Sequence, residues 1–174
     1  MDVKEAIFER RTYRRFKDKE IAPQILKRII ESGLQCPSSC NQQMNYFISI
    51  GKKTKERLHK EANFKLIPRI PSPIFVITDK RFGNVQYANI QSAAAAIQNM
   101  LLYAYSQGIG SCWMAGFGDK KIVKKLLNIP KNYHILGCVG FGYADEKILK
   151  PKKRAAESVL FYDKFLPPSG SKDP

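Results

Sequence analysis

Long apolar segments are absent from this sequence of 174 residues. The longest candidate, residues 93–105, is interrupted by Gln98 and Asn99 and stays short of the roughly 18–20 apolar residues that a membrane helix needs. The amino-terminal segment, MDVKEAIFERR, is charged and lacks the apolar core of a secretion signal. We therefore expect a cytoplasmic protein without membrane association.

Metal-ligating residues are also few. The two histidines, His59 and His134, lie far from each other and from Cys36 and Cys40, whose CxxxC spacing is followed by no second pair of that kind. We expect all four cysteines to be free thiols, as is usual in a cytoplasmic protein. The sequence predicts no metal site.

Acidic residues are half as numerous as basic ones, 15 against 30, which gives a formal net charge of +15. Such a charge attracts phosphates in nucleic acids, membrane headgroups or small molecules, and a solvated basic surface explains it equally well. The charge alone therefore does not choose a partner.

Helical and strand patterns alternate along the chain without internal repeats or a linker between domains. A capping pair, Asp2 and Glu5, begins the first helix, and Pro23 begins the second. A nearly all-apolar helix at 87–107 suggests a dimer core, and an apolar segment at 159–165 suggests an added strand, in this sheet or a partner's. Further helices are expected at 53–62 and 119–127, and strands at 46–50, 74–77, 111–117 and 135–142. These patterns predict one α+β or α/β domain over residues 1–166 and a disordered tail over 167–174.

Four segments carry residues suited to binding a phosphorylated, planar ligand. RRTYRRF at 10–16 offers guanidinium groups for a phosphate, although a solvated basic turn or an RNA-binding patch has the same composition. CPSSCNQQ at 36–43 offers hydroxyl and amide groups, although an ordinary loop after a helix has the same composition. GIGSCWMAGF at 108–117 lets a backbone approach a flat ring, and a buried strand with an aromatic plug explains it equally well. The fourth, KPKKR at 150–154, is by itself typical of a solvated charge run.

In this order and spacing the segments resemble the nitroreductase family of FMN-dependent oxidoreductases. RRTYRRF resembles the family's RR(S/T)xRxF, CPSSCNQQ its APSxxNxQ, and GFGYADEK with PKKR its GxxxDE and KxR ending. GIGSCWMAGF resembles the segment after the family's long central helix. The resemblance implies an α+β, three-layer α/β/α sandwich with a mainly antiparallel sheet, a long central dimer helix and a carboxy-terminal segment exchanged with the partner.

The resemblance also implies a binding role for each matching residue. Arg10, Arg11 and Thr12 would hold the phosphate and ribityl end of FMN, with Lys152 and Arg154 completing the phosphate site. Arg14 would reach the N1/O2 edge of the flavin, where a cation stabilises the negative charge of the reduced ring. The partner subunit would contribute Pro37, Ser38, Ser39 and Asn41, with Gln43 nearby, whereas Met114, Ala115 and Gly116 would lie along the ring.

Two departures limit what the resemblance implies about substrates. Met44 and Asn45 replace the Pro-Trp pair that often follows the serine segment, and Ala115-Gly116 replaces an acidic-glycine pair beside flavin N5. The glycines at 137, 140 and 142 do not form a GxGxxG motif that opens a helix, so nicotinamide is expected to bind only transiently. No catalytic side chain is predicted, because the flavin supplies the redox chemistry.

We expect hydride transfer from NADH or NADPH to small electron-poor acceptors such as nitroaromatics or quinones, in a homodimer. A flavin carrier or sensor would be yellow but would not oxidise NAD(P)H. A basic nucleic-acid-binding module would be colourless and would bind with a steep salt dependence, and we regard it as the weaker alternative. Reductive dehalogenation, or dehydrogenation of a peptide or cobamide-type substrate, would use the same fold.

Overall fold

The computed structural model describes residues 1–81 and 87–165. Its helices are α1 (Val3–Glu9), α2 (Pro23–Leu34), α3 (Lys52–Lys60), α4 (Ala88–Ser106) and α5 (Lys120–Leu126). Its strands are β1 (Asn45–Ser49), β2 (Ser72–Asp79), β3 (Gly110–Met114) and β4 (Tyr133–Gly142). Every predicted helix and the four predicted internal strands are present, and β3 ends three residues before the predicted boundary because the chain turns away after Met114.

Local sequence signals begin the helices as expected. The Asp2 carboxylate accepts a hydrogen bond from the backbone N–H of Glu5 at 2.8 Å, which satisfies one of the free donors of α1. Asp119 does the same for α5, where it accepts from Lys121 and Ile122. Pro23 occupies the first turn of α2, where its missing N–H costs nothing.

The four strands form one antiparallel sheet in the order β1-β2-β4-β3. In β2, Ile74 and Val76 face the core shared with α2 and α4, whereas Phe75 faces the core shared with α3 and α5. Both faces are therefore covered by helices, as in a three-layer sandwich. The prediction of an α+β sandwich with a central antiparallel sheet is confirmed.

The helix predicted to form a dimer core, α4, buries one side against α2 and the sheet and leaves Gln91 and Gln98 exposed. No helix in the described part of the chain is long and apolar enough to cross a membrane. Residues 159–165 form no strand with this chain's own sheet, and all of them are exposed. Their exchange with a partner stays a prediction, and the tail at 167–174 lies outside the described residues.

Candidate functional site

Residues 10–17, here called the arginine arm, run beside the free edge of β3 and then across the end of β4. Thr12 forms a parallel bridge with Ser111 of β3, and the backbone N–H of Tyr13 donates to the Ser111 carbonyl at 2.9 Å. Farther along, Phe16 bridges Ala144, just beyond β4. The arm is therefore held in an extended conformation by two separate parts of the sheet.

The two arginines at the start of the arm have different surroundings. The Arg11 guanidinium donates to the carbonyls of Phe8 and Arg10 at 3.0 and 2.8 Å and pairs with Glu9, so it closes the end of α1. Arg10 is partly buried, and its Nε has no hydrogen-bond partner among the described residues. Burial, with a smaller effect from Arg11, lowers the pKa of Arg10. Arg10 therefore keeps a buried donor available for a ligand.

Glu146 fixes the middle of the arm. Its Oε1 accepts hydrogen bonds from the backbone N–H groups of Arg14 and Arg15 at 2.5 and 2.9 Å. These backbone hydrogen bonds are the main reason that the pKa of Glu146 is lowered. Glu146 belongs to the segment that resembles the family's GxxxDE ending, and this resemblance was the available signal for a role that was not predicted.

The basic carboxy-terminal segment reaches the amino-terminal arginines through one ion pair, between Lys150 and Glu9. Glu9 also pairs with Arg11, and its pKa is lowered mainly by the hydrogen bond from Lys150. Lys152 is exposed, and Arg154 donates to the Ser158 carbonyl at 3.0 Å. In the described residues no hydrogen bond or ion pair joins Lys152 or Arg154 to the arm, so their role in phosphate binding stays a prediction.

The end of β3 presents backbone next to open space. Met114 is buried, whereas Ala115 and Gly116 are exposed, and a Cβ added at Gly116 would meet no atom within 4 Å. Gly118 follows with a φ of +84°, and a Cβ there would lie 2.0 Å from the Ala62 carbonyl oxygen. A close packing of backbone on backbone therefore positions this exposed turn, which a flat ligand could approach.

The serine loop, residues 36–43, lies at the other side of the sheet, before β1. Pro37, Ser38 and Ser39 line a cavity of about 450 Å³ together with the first turns of α4. The loop is ordered by its own polar groups: the Ser38 hydroxyl accepts from the Gln43 N–H at 3.1 Å, and the Gln43 side chain donates to Asn41 at 3.1 Å.

Within one chain the structure keeps the serine loop and the arginine arm apart. The loop leads into β1, and the arm pairs with β3, and these two strands are the opposite edges of the sheet. Three strand spacings separate the edges, which is about 14 Å across the sheet. The predicted site residues thus form two groups: Arg10, Thr12 and Arg14 beside the β3 edge, and Pro37, Ser38, Ser39, Asn41 and Gln43 beside β1.

The positions of the acidic, histidine and cysteine residues in the described part of the chain bear on metal binding and on nucleophilic chemistry. Residues 1–81 and 87–165 contain no group of three or more His, Cys, Asp or Glu residues able to hold a metal ion. Cys138 is fully buried beside Cys112, and burial raises the pKa of both thiols. Neither thiol is suited to act as a nucleophile in this state.

Known proteins resemble this chain in sequence and in fold. The sequence model of the nitroreductase family matches residues 7–82 and 59–143. A relative from Archaeoglobus fulgidus, named "Putative NADH dehydrogenase/NAD(P)H nitroreductase", is 30% identical over 150 residues, which is 81% of this chain and 85% of that protein.

Solved structures show the same fold. An FMN-dependent nitroreductase from Clostridium difficile superposes with a TM-score of 0.79 at 24% identity and covers 92% of this chain and 98% of its own. Nitroreductase A from Vibrio parahaemolyticus gives a TM-score of 0.84 at 23% identity over 95% of this chain and 78% of its own. Because the family match spans most of the sequence, this chain belongs to the nitroreductase family.

Proposed function

We propose that this chain is an FMN-dependent oxidoreductase that takes hydride from NADH or NADPH and passes it to a small electron-poor acceptor, such as a nitroaromatic or a quinone. Membership of the nitroreductase family and the names of its relatives support the flavin and the nicotinamide. The exposed turn at Ala115 and Gly116 supports an acceptor site open to varied small molecules.

The buried, unpartnered Nε of Arg10 is the observation that carries the proposal. A buried guanidinium donor without an acceptor is unfavourable, and the dianionic phosphate of FMN would satisfy it with charge-assisted hydrogen bonds. The hydroxyl of Ser111, on the strand that pairs with Thr12, is likewise buried without a partner in the described residues. The arm and β3 thus each contain an unsatisfied polar group, which supports a polar ligand such as FMN beside them.

The division of labour between cofactor and protein follows from the residues present. Bound FMN would supply the hydride chemistry, accepting two electrons from the nicotinamide and giving them to the acceptor. Arg10 and Thr12, together with Arg11, Lys152 and Arg154, would bind the phosphate and ribityl groups. Arg14 would face the ring's N1/O2 edge, and the turn from Met114 to Gly116 would lie along the ring. Water can deliver the protons, because this turn is exposed.

The separation of the two residue groups supports a homodimer with two sites. Since the serine loop and the arginine arm lie at opposite edges of one sheet, a second copy would place its serine loop, with Pro37, Ser38, Ser39, Asn41 and Gln43, against this chain's arm. Exposed apolar side chains on α1, including Ile7 and Phe8, and on residues 159–165 are also expected to be covered by that copy.

The proposal is tested by the absorption spectrum of the purified protein and by bleaching of the flavin with NADH or NADPH under nitrogen. Arg10→Ala should weaken FMN binding by about 10- to 100-fold, because the phosphate loses a charged partner. The control is Arg28→Ala, since Arg28 is exposed and paired with Glu31 at 3.0 Å.

Three results would count against the proposal. A colourless protein that binds nucleic acid with a steep salt dependence would favour the nucleic-acid-binding alternative. A yellow protein that neither nicotinamide bleaches would favour a flavin carrier or sensor. Unchanged FMN affinity in Arg10→Ala would refute the phosphate assignment.

A further inference from the structure

We propose that a cationic pocket beside the arginine arm binds the adenosine diphosphate half of the nicotinamide cosubstrate; this inference rests on the proposed function. The pocket has a volume of about 440 Å³ and lies between the arm, the first turn of α3 and the 68–71 segment that enters β2. Four basic side chains from these three parts of the chain line it: Arg15, Lys17, Lys55 and Arg69.

The positive charge of the pocket is only partly neutralised. In residues 1–81 and 87–165 neither Lys17 nor Arg69 forms an ion pair. The Arg15 guanidinium lies 3.7 Å from Glu146, a carboxylate that already accepts two backbone hydrogen bonds. These exposed cations are therefore available to a diphosphate, for which arginine provides paired donors.

Lys55 serves as a fixed part of the wall. Its ammonium group donates to the Ile70 carbonyl at 3.0 Å and lies 3.5 Å from the Pro71 carbonyl. These contacts attach α3 to the segment that carries Arg69. The charges of the pocket are thereby held on one frame, which reduces the entropy lost when a ligand binds.

The pocket also has flat apolar surfaces. Phe16 is partly buried, and a Cβ added at Gly142 would lie 2.8 Å from its Cδ1 atom, so the ring packs directly on the end of β4. Pro68 and Pro71 form further walls. Aromatic rings stack on nucleobases of any sequence, which suits an adenine. Asp18 and Asp145 also line the pocket, and carboxylates of this kind accept hydrogen bonds from ribose hydroxyls.

The position of the pocket relative to the proposed flavin site suits the adenosine diphosphate half of a dinucleotide. The arm continues directly from Arg14, the residue assigned to the flavin edge, to Arg15, Phe16 and Lys17. Three residues of extended chain span about 10 Å, so the pocket begins within dinucleotide reach of the ring position. The pocket lies beyond Gly142, which pairs with Gly110 at the start of β3, and the exposed turn follows Met114, about 14 Å farther along that strand. A dinucleotide with its nicotinamide at the turn would have to run along β3 to place its phosphates in the pocket.

The experiment compares NADH with 1-benzyl-1,4-dihydronicotinamide, a hydride donor without phosphate or adenosine. Lys17→Ala and Arg69→Ala should each raise the ratio of the KM for NADH to the KM for the benzyl donor about tenfold. Calorimetric titration of the FMN-loaded protein with ADP should show about the same loss of affinity. Lys121→Ala is the matched control, because Lys121 lines a different lysine-rich concavity on α5 and removes the same charge.

The outcomes separate this inference from the proposed function. Equal losses in Lys121→Ala would indicate long-range attraction rather than a pocket, and an unchanged KM ratio with unchanged ADP affinity would refute the pocket. If neither donor reduces the flavin of the wild-type protein, the proposed function is contradicted. In that case the ADP titration still decides whether Lys17 and Arg69 bind a nucleoside diphosphate.

Discussion

Asp79, at the end of β2, is a buried carboxylate whose negative charge stabilises the fold. Its oxygens accept hydrogen bonds from the backbone N–H of Arg81 at 2.9 Å and from the Arg81 guanidinium at 2.6 and 3.1 Å. The hydrogen bonds from the Arg81 side chain are the largest reason that the pKa of Asp79 is strongly lowered. A lowered folded-state pKa means that this stabilisation is present above the unfolded-state pKa, about 3.9, and is lost as the pH falls through the folded-state value.

We therefore expect Asp79→Asn to lower the free energy of unfolding at pH 7 by about 1–2 kcal/mol, a modest value because the 60% exposed Arg81 side chain is screened by solvent. The variant should also lose part of the decrease in stability that acid causes in the wild type. Urea denaturation at pH 7 and at acid pH measures both effects. The control is Asp18→Asn, on an exposed side chain, which should change neither the stability at pH 7 nor its acid dependence. An unaltered acid dependence of stability in Asp79→Asn would refute the stabilising role of the Asp79 charge.

The sequence does not distinguish the surroundings of neighbouring candidate site residues. The sequence places Arg10 and Arg11 side by side with the same chemistry, yet Arg11 bonds to carbonyls of α1 and Arg10 keeps a free Nε. The chain that carries both arginines is held by the bridge between Thr12 and Ser111, which are distant in sequence. No local pattern contains this information, and the same holds for the contact of Glu146 with the arm.

Elements were predictable where a local signal marks them. Asp2, Pro23 and Asp119 each begin the helix that the sequence assigned to them. The 159–165 segment had only an apolar composition, and within its own chain it joins no sheet. The pairing of such a segment depends on the surface against which it packs, and the segment's own sequence does not specify that surface. In the proposed homodimer a second copy would provide it.

The arginine arm is the element whose position controls the proposed site, and Glu146 is its positioning residue. Glu146→Ala should accelerate amide hydrogen exchange at Arg14 and Arg15, because both N–H groups lose their acceptor. FMN affinity should fall several-fold. Glu146→Gln keeps one acceptor oxygen and should restore much of the exchange protection and of the FMN affinity. Glu157→Ala, on the exposed carboxy-terminal segment, is the control. Unchanged exchange at the two amides in Glu146→Ala would show that the arm is held by its other contacts.

At the scale of the whole molecule, the sheet order determines which residues one chain can bring together. The motifs predicted a single ligand site, but only the order β1-β2-β4-β3 shows that the serine loop and the arginine arm occupy opposite edges. The order of strands along the chain does not give their order in the sheet. Here β4 pairs with β3, its neighbour along the chain, and also with β2, which is not its neighbour. The proposal of a second copy therefore gains a geometric argument only from the fold.

The proposed homodimer predicts complementation between two variants that bind FMN weakly. Arg10→Ala removes a residue of the arm and Asn41→Ala a residue of the serine loop, so each homodimer carries two damaged sites. In a mixed dimer one site would contain both substitutions, and the other would contain neither. Random mixing of the two chains should then restore FMN binding and bleaching by NADH to about a quarter of all sites. Mixed dimers isolated with two different affinity tags should hold about one FMN per dimer. If both residues instead served a site within one chain, every site in the mixed dimer would be damaged, and no flavin would return.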